Sequence, residues 1–341
     1  MQNSQLKPKF IAEISANHGR SFEKAKLLTE AAAKSGASYV KFQTFTADSM
    51  TLNLDKFKVS EGHALWSSKK LYDLYKLAAT PYSWHKELFE LARNLGIEPF
   101  STPFDREAVD LLESLNCKIY KVASLEIIDI PLIQYIASTN KPIVISTGAC
   151  DLSEVSEAVS AFRQISEQQI TLLVCTSAYP AEPRDANLNR MKFLKDSFGT
   201  EVGLSDHTKG LEVSLAAVAL GASLVERHIK YDENDNTLDS EFSLTYSQFQ
   251  LLVKQANVVF DSLGSSSWSF SSSEAESRRL RRSLYLVKNV KKGDKADYNN
   301  VKAIRPSGGL PPKFLNSVVG RIFNSDFELG TPVTDEIFEK Q

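Results

Sequence analysis

The sequence predicts an α/β fold in which eight parallel strands alternate with helices, close into a barrel and are followed by a small second module. Short runs rich in Val, Ile, Phe and Tyr alternate with amphipathic segments through most of the chain. Parallel neighbours need a helical crossover, so such units in series predict a (β/α)8, or TIM, barrel. An open doubly wound sheet is the alternative. Residues 15–19 read Ser-Ala-Asn-His-Gly, however, where that fold carries Gly-x-Gly-x-x-Gly.

The predicted elements follow one another in a regular order. The strand candidates are Phe10–Ile14, Tyr39–Gln43, Ile97–Ser101, Ile119–Ala123, Pro142–Ser146, Thr171–Cys175, Glu201–Leu204 and Ser223–Glu226. Apolar residues three and four apart predict helices that include Phe22–Ser35, Trp84–Leu95, Arg106–Leu115, Leu152–Ile165, Glu212–Leu220 and Ser247–Leu263. Gly96 and Ser153 are typical of helix ends.

The composition divides the chain into three parts. A barrel domain is predicted over residues 1–263, a Ser-rich linker over 264–282, and a small domain over 283–341 with short strands Ser283–Val287 and Val301–Ile304. About 60 residues is near the lower limit for an independent core, so the small domain should dock on something. The arginine-rich segment 278–282 could bind nucleic acid, but flanking acidic residues favour a solvated or inter-subunit face.

A long insertion, Thr44 to Tyr82, follows the second predicted strand. It contains Trp66, Tyr72 and Tyr75. A loop of this length on the catalytic face of a barrel is usually functional.

The overall composition excludes several classes of partner. The chain has 341 residues, 42% of them apolar, with 40 Lys and Arg against 42 Asp and Glu. A net charge of -2 predicts no binding to nucleic acid or to an acidic membrane surface. Cys117, Cys150 and Cys175 lie in or beside apolar runs, which indicates free thiols in a reducing compartment. The polar amino terminus and the lack of a long apolar run predict a soluble, cytoplasmic protein.

Two histidines lie at the ends of consecutive predicted strands. His207 and His228 each follow a short apolar run. Two imidazoles at neighbouring strand ends indicate a divalent cation with positions left open for water or substrate. The alternative is that one is a core histidine and the other a loop histidine.

Two lysines lie inside apolar strands, where a charge requires a counter-charge. Lys41 and Lys121 could each pair with a buried Glu or Asp. Together with four nearby hydroxyls they could instead form a pocket for a phosphate and a carboxylate. The hydroxyl side chains are Thr102, Ser124, Ser177 and Ser205. Glu13, Glu126 and Asp239 would then remain to orient a polar substrate or move protons.

Several of these strand-end segments form motifs that resemble the sialic acid synthase family. The motifs are Ile11–His18, Val40–Thr44, Phe100–Asp105, Tyr120–Ser124, Cys175–Pro180 and Gly203–Thr208. The segment after the linker resembles that family's antifreeze-like (SAF) domain. Within the family the likeness is to the pseudaminic acid branch, through Leu71–Tyr75, Thr80–His85, Asp239–Leu244 and Ile304–Leu310.

The resemblance implies condensation of phosphoenolpyruvate with an N-acylated amino sugar, giving a nine-carbon acid and phosphate by C–O cleavage. It implies phosphoenolpyruvate binding by Lys41, Thr102, Lys121, Ser124, Ser177 and Ser205. It also implies that His207 and His228 hold Mn2+, with Mg2+ or Co2+ as substitutes. Sugar contacts would come from Gln43, Tyr179, Glu126, Asp239 and Arg305, and catalytic roles would fall to Glu13, Glu126, Asp239 and Arg305. A homodimer that exchanges its SAF domains would place Arg305 in the partner's site.

Two differences from neuraminate synthases and the insertion between Trp66 and Trp84 favour a deoxygenated sugar. Phe42 would form an apolar wall, and Ser177 stands where those enzymes carry Asn. The expected acceptor is 2,4-diacetamido-2,4,6-trideoxy-L-altropyranose, and N-acetylneuraminate or legionaminate synthesis is the alternative. A metal-dependent aldolase and a non-enzymatic binding module stay open.

Overall fold

The computed structural model describes residues 7–61 and 65–340, and it confirms the predicted barrel. The eight parallel strands are β1 Lys9–Glu13, β2 Tyr39–Thr44, β3 Glu98–Pro103, β4 Tyr120–Val122, β5 Ile143–Ser146, β6 Ile170–Cys175, β7 Glu201–Asp206 and β8 Leu224–Lys230. Each strand pairs with the next, and β1 also pairs with β8, which closes the barrel. A short strand β9, Leu244–Thr245, pairs with the end of β8.

The helices of the first unit lie between the strands. They are α1 Phe22–Lys34, α2 Ala47–Met50, α3 Leu71–Ala78, α4 Tyr82–Asn94, α5 Arg106–Ser114, α6 Ile130–Ser138, α7 Leu152–Arg163, α8 Arg190–Phe198, α9 Glu212–Ala219 and α10 Tyr246–Leu263. Gly96, after α4, has a positive φ of 78°, as a helix end requires. Helix α7 begins at Leu152, as predicted, but its N-cap is Asp151, two residues before Ser153, and Asp151 forms a capping box with Glu154.

Alternation along each strand separates the two faces of the barrel wall. Phe42 of β2 packs outward on Phe89 of α4, with ring centroids 5.9 Å apart, inside the main apolar core. Its neighbour Lys41 instead contacts Glu13 and Thr102 on adjacent strands. Since side chains alternate with a period of two, the residues of one face meet at the barrel mouth.

The strand register brings the predicted site residues side by side. Glu13 is level with Lys41 on one side and with His228 on the other. Ser205 is level with Glu226 across β7 and β8. The carboxyl ends of the strands therefore form one cluster of polar side chains.

Residues 266–341 form a second compact unit. Its elements are α11 Ser272–Arg279, β10 Ser283–Leu286, β11 Val301–Ile304 and α12 Leu315–Val318, with β10 and β11 antiparallel. It has its own apolar core, which includes Leu284, Phe323 and Phe338. A Cβ at Gly309 would lie 2.2 Å from the Leu284 carbonyl oxygen, so the turn after β11 requires glycine there.

The structure bears on the predicted linker and on the predicted lack of a membrane span. Residues 264–282, predicted as a linker, contain the short helix α11, which Ser271 and Glu274 cap. None of the helices in the described part of the chain is long and apolar enough to cross a membrane.

Candidate active site

Lys41 lies between two carboxylates inside the barrel. Its Nζ forms an ion pair with Glu13, lies 3.7 Å from Glu226 Oε2 and donates to Thr102 Oγ1 at 3.1 Å. Burial raises the pKa of Glu13 to about 7, although Lys41 opposes this shift. Burial lowers the pKa of Lys41, but the two carboxylates outweigh it and the net shift is upward. Lys41 thus contacts two buried carboxylates as well as the hydroxyl of Thr102.

Lys121 is in a different situation. It is buried, and its Nζ donates to Ser146 Oγ at 2.6 Å and to the Val122 carbonyl at 2.8 Å. No carboxylate lies within ion-pair distance of Lys121 among the described residues. Burial is the largest influence on its pKa and lowers it. A buried ammonium group without a carboxylate partner is suited to an incoming anion.

Hydroxyl groups converge beside Lys121 around Gly148. The Gly148 N–H donates to Ser124 Oγ at 3.1 Å, and a Cβ at Gly148 would lie 2.4 Å from Ser177 Oγ. Ser177 Oγ is buried and has no hydrogen-bond partner in the described part of the chain. Ser205 Oγ donates to Glu226 Oε1 at 2.9 Å. An oxygen-rich anion would satisfy Ser177, since buried polar atoms otherwise carry a desolvation cost.

His207 and His228 are adjacent, with ring centroids 5.3 Å apart. The His207 Nδ1–H donates to the Thr176 carbonyl at 3.1 Å, which leaves Nε2 as an acceptor. Burial holds the pKa of His228 well below its usual range, so that its imidazole is neutral. The His228 Nδ1 is buried without a hydrogen-bond partner among described residues and lies 3.7 Å from Asp239 Oδ2.

This donor set fits a divalent cation that keeps several water ligands. Both imidazoles can offer a lone pair, as a metal ligand must. Within residues 7–61 and 65–340, no group of three or more His, Cys, Asp and Glu side chains is arranged to hold a metal. The remaining ligands would therefore be water or substrate oxygens, which hard cations such as Mg2+ readily accept.

A buried ion pair fixes the spacing of the two histidines. Asp206 and Arg227 immediately precede them, are level across β7 and β8, and are almost fully buried. Arg227 Nη1 donates to Asp206 Oδ2 at 2.5 Å, and Ser214 Oγ donates to the same oxygen at 2.5 Å. Because this pair holds β7 and β8 in register, the residues that follow it are held side by side.

A second network holds Asp239 near His228. The Ala16 N–H donates to Asp239 Oδ2 at 3.1 Å, and Ser243 Oγ donates to the Asp239 carbonyl at 2.6 Å. Asn17 Nδ2 donates to Ser243 Oγ at 2.8 Å. Burial raises the pKa of Asp239, which makes this carboxyl suitable for holding a proton.

A cavity of about 230 Å³ opens above these groups. Its polar lining includes the predicted sugar contacts, and its apolar lining comes mainly from the segments after β2 and β3. The polar residues are Ser15, Gln43, Ser124, Glu126, Tyr179, His228 and Asp239. The apolar side chains that line it include Phe45, Met50, Leu74, Tyr75 and Phe104. The insertion after β2 thus contributes to the cavity, although residues 62–64 of it lie outside the described residues.

The expected role of Phe42 is wrong. Its side chain faces the helices and does not line the cavity, because it alternates with Lys41 along β2. Phe45, three residues later, lines the cavity instead.

Sequence reasoning also missed several polar residues of this cluster. Ser146 and Glu226 are the last residues of predicted strands, so their positions carried the same signal as those chosen. Gly148 could be found only from the close approach of its neighbours. Arg305 belongs to the second unit, where it is exposed, and its proposed role stays a prediction.

Comparison with known proteins identifies the family. The NeuB family profile matches residues 28–267, and the SAF domain profile matches residues 281–339. The chain belongs to the NeuB family.

Named relatives agree with the family assignment. A pseudaminic acid synthase from Helicobacter pylori is 41% identical over 98% of both chains. An N,N'-diacetyllegionaminic acid synthase from Campylobacter jejuni is 36% identical over 93% of this chain and 96% of its own. A crystal structure of N-acetylneuraminic acid synthetase from Leptospira borgpetersenii has a TM-score of 0.71 and 30% identity, covering 79% of this chain and 90% of that one. The resemblance to sialic acid synthases is thereby confirmed.

Proposed function

We propose that this transferase condenses phosphoenolpyruvate with 2,4-diacetamido-2,4,6-trideoxy-L-altropyranose to form pseudaminic acid and phosphate. The observation that carries the proposal is a buried Lys121 that pairs with no carboxylate among the described residues, beside a Ser177 hydroxyl that has no hydrogen-bond partner among them. Both lie in the same barrel mouth as His207 and His228. Three pseudaminic acid synthases are 39–41% identical to this chain over nearly its whole length, which supports the choice of sugar. The relatives support neither the aldolase nor the binding-module alternative.

The residues divide the work between the two substrates. Lys121, Ser124 and Ser177 hold the phosphate, while Lys41 and Thr102 hold the carboxylate of phosphoenolpyruvate. Ser205 completes this anion pocket from β7. Gln43 and Tyr179 bind the sugar, and Glu126 and Asp239 orient its hydroxyl groups.

The reaction forms one C–C bond and breaks one C–O bond. The C3 carbon of phosphoenolpyruvate attacks the aldehyde carbon, whose oxygen becomes a hydroxyl by accepting a proton. Water adds to the resulting cationic C2 and loses one proton, which leaves a hydroxyl and the phosphate group on the same carbon. The C2–O bond to phosphate then breaks as this hydroxyl loses its proton, and the products are a C2 carbonyl and inorganic phosphate. Glu13 accepts the proton of that water at Oε1, an oxygen with no hydrogen-bond partner among the described residues. Its pKa near 7 suits a base at neutral pH.

A divalent cation, Mn2+ or in its place Mg2+ or Co2+, would be held by His207 and His228. When bound, it would polarise the sugar aldehyde as a Lewis acid.

The proposal includes a homodimer in which Arg305 completes the partner's site by contacting the acyl group of the sugar. Mixing tests it. An Arg305→Ala chain and a His207→Ala chain should each be inactive, whereas heterodimers refolded from both should recover activity through one intact site. No recovery would show that each SAF domain serves its own barrel.

An end-point assay of phosphate release tests the function directly. The enzyme is incubated with phosphoenolpyruvate, Mn2+ and a panel of amino sugars that includes N-acetylmannosamine and the precursor of legionaminic acid. Release should be greatest with the L-altro sugar and absent without acceptor. Preference for either of the other sugars would move the chain to that branch.

A further inference from the structure

The cavity above the histidines has two chemically different sides, and Trp66, which also lines it, contacts Tyr179 with ring centroids 5.9 Å apart. On one side the histidines contact polar or aromatic partners: Asp239 lies 3.7 Å from His228, and the Tyr179 ring lies 4.6 Å from that of His207. On the other side apolar side chains contact each other. Phe45 meets Phe104 edge-to-face at 5.1 Å and Tyr75 at 6.0 Å.

Three separate elements build the apolar side. Phe45 follows β2, Phe104 follows β3, and Leu74 and Tyr75 belong to α3 of the insertion. Phe45 is only 3% exposed and Leu74 only 8%, while Met50 at the end of α2 is half-buried. Because each aromatic ring is held by a ring from another element, the apolar side is a preformed surface of the cavity.

The position of the reaction fixes which end of the sugar meets this surface. The aldehyde carbon must lie with the histidines and the anion pocket. The opposite end of the sugar chain must then extend toward the apolar side. A hydroxyl placed against Phe45, Met50, Leu74 and Phe104 would lose its water without gaining a hydrogen bond from them, whereas a methyl group would bury apolar surface.

We propose that Met50, Phe45, Leu74 and Phe104 form a specificity surface that binds the methyl end of a 6-deoxy amino sugar and disfavours a 6-hydroxyl group. This inference rests on the proposed function and assigns its selectivity to named residues. Discrimination by an apolar pocket against an added hydroxyl reaches about 100-fold in kcat/KM.

A matched pair of acceptors isolates this contact. N-acetylmannosamine and its 6-deoxy analogue differ only at C6, and phosphate release with saturating phosphoenolpyruvate gives kcat/KM for each. The wild type should favour the 6-deoxy sugar by about 10- to 100-fold. Met50→Gln and Leu74→Asn keep side-chain size but add polarity, so each should reduce that ratio several-fold.

Controls separate the contact from general damage. Leu77→Asn makes the same change on the same helix at a residue that is 53% exposed, and it should leave the ratio unchanged. The KM for phosphoenolpyruvate should stay the same in all three variants. If Leu74→Asn unfolds at lower temperature, the milder Met50→Gln still decides the question.

The outcomes are distinct. Phosphate release with equal kcat/KM for both sugars, or an unchanged ratio in Met50→Gln, would overturn this inference and leave the proposed function intact. No release with any amino sugar would overturn both.

Discussion

The polar and apolar sides of the barrel mouth are built by different physical means. The polar side is held by buried charge, through the Glu13, Lys41 and Glu226 cluster and through the Asp206–Arg227 pair. The apolar side is built by side chains that follow β2 and β3 and by the insertion, and neutral hydrogen bonds hold the residue at which the insertion starts. There His85 Nε2 shares a hydrogen bond with Thr44 Oγ1 at 2.8 Å, and Thr44 Oγ1 shares another with Ser101 Oγ at 2.6 Å.

This difference explains how one barrel can retain the same reaction while the acceptor sugar changes. Charged groups at strand ends are locked into register with their neighbours, so a change there disturbs the reaction and the fold together. The insertion contributes surface without contributing charge to the reacting centre. Its side chains can therefore vary and alter which sugar fits.

Removing either histidine should have the largest effect. His207→Ala or His228→Ala should abolish turnover, because each takes away one of two proposed protein ligands of the cation. Bound Mn2+ per chain, measured after gel filtration, should fall with it while circular dichroism stays native. Full activity of both variants in chelator would contradict the metal assignment.

Removing a lysine should affect one substrate more than the other. Lys41→Ala and Lys121→Ala should raise the KM for phosphoenolpyruvate by about 10- to 150-fold, since each removes a charge-assisted contact worth about 1.5–3 kcal/mol. The KM for the sugar should change much less. Exposed Lys192→Ala serves as the control. Equal effects on both substrates would argue against a dedicated anion pocket.

Breaking the buried ion pair should weaken the fold. Asp206→Ala leaves the Arg227 guanidinium uncompensated in the barrel wall, and the free energy of unfolding should fall by about 3–5 kcal/mol. Urea denaturation measures this change. The exposed pair Lys192–Asp196 offers a matched control, for which Asp196→Ala should cost less than about 1 kcal/mol. Similar losses in both variants would show that burial of the pair contributes little.

Acid should weaken the contact between His85 of α4 and Thr44 at the end of β2. Burial lowers the pKa of His85 to about 4, below the roughly 6.5 of an unfolded chain. Its neutral form therefore stabilises the fold above pH 6.5, and this stabilisation is lost as the pH falls toward 4, by on the order of 3 kcal/mol. In the His85→Gln variant the free energy of unfolding should change less steeply between pH 6.5 and 4, because unfolding takes up one proton fewer. An unchanged dependence would mean that His85 is already protonated in the folded chain.

The polar residues at the strand ends could be predicted from the sequence because they interrupt runs of apolar residues. Lys121 and His228 are polar residues at the ends of apolar strands, and the barrel topology brings such positions together. The prediction that Phe42 lines the sugar site was wrong. Adjacent strand residues face opposite ways, so a Lys41 side chain inside the barrel already implied that Phe42 faces the helices. Met50 and Leu74 gave no signal, because an apolar residue in an insertion reads the same whether it faces the core or a substrate.

The most direct test is a competition between acceptors. The enzyme receives phosphoenolpyruvate with equal concentrations of 2,4-diacetamido-2,4,6-trideoxy-L-altropyranose and N-acetylmannosamine, and mass spectrometry measures the two nine-carbon acids at low conversion. The product of the trideoxy sugar should exceed N-acetylneuraminic acid by at least about 10-fold, as expected for an apolar surface at the methyl end. Comparable amounts of the two acids would contradict both the proposed acceptor and the proposed specificity surface.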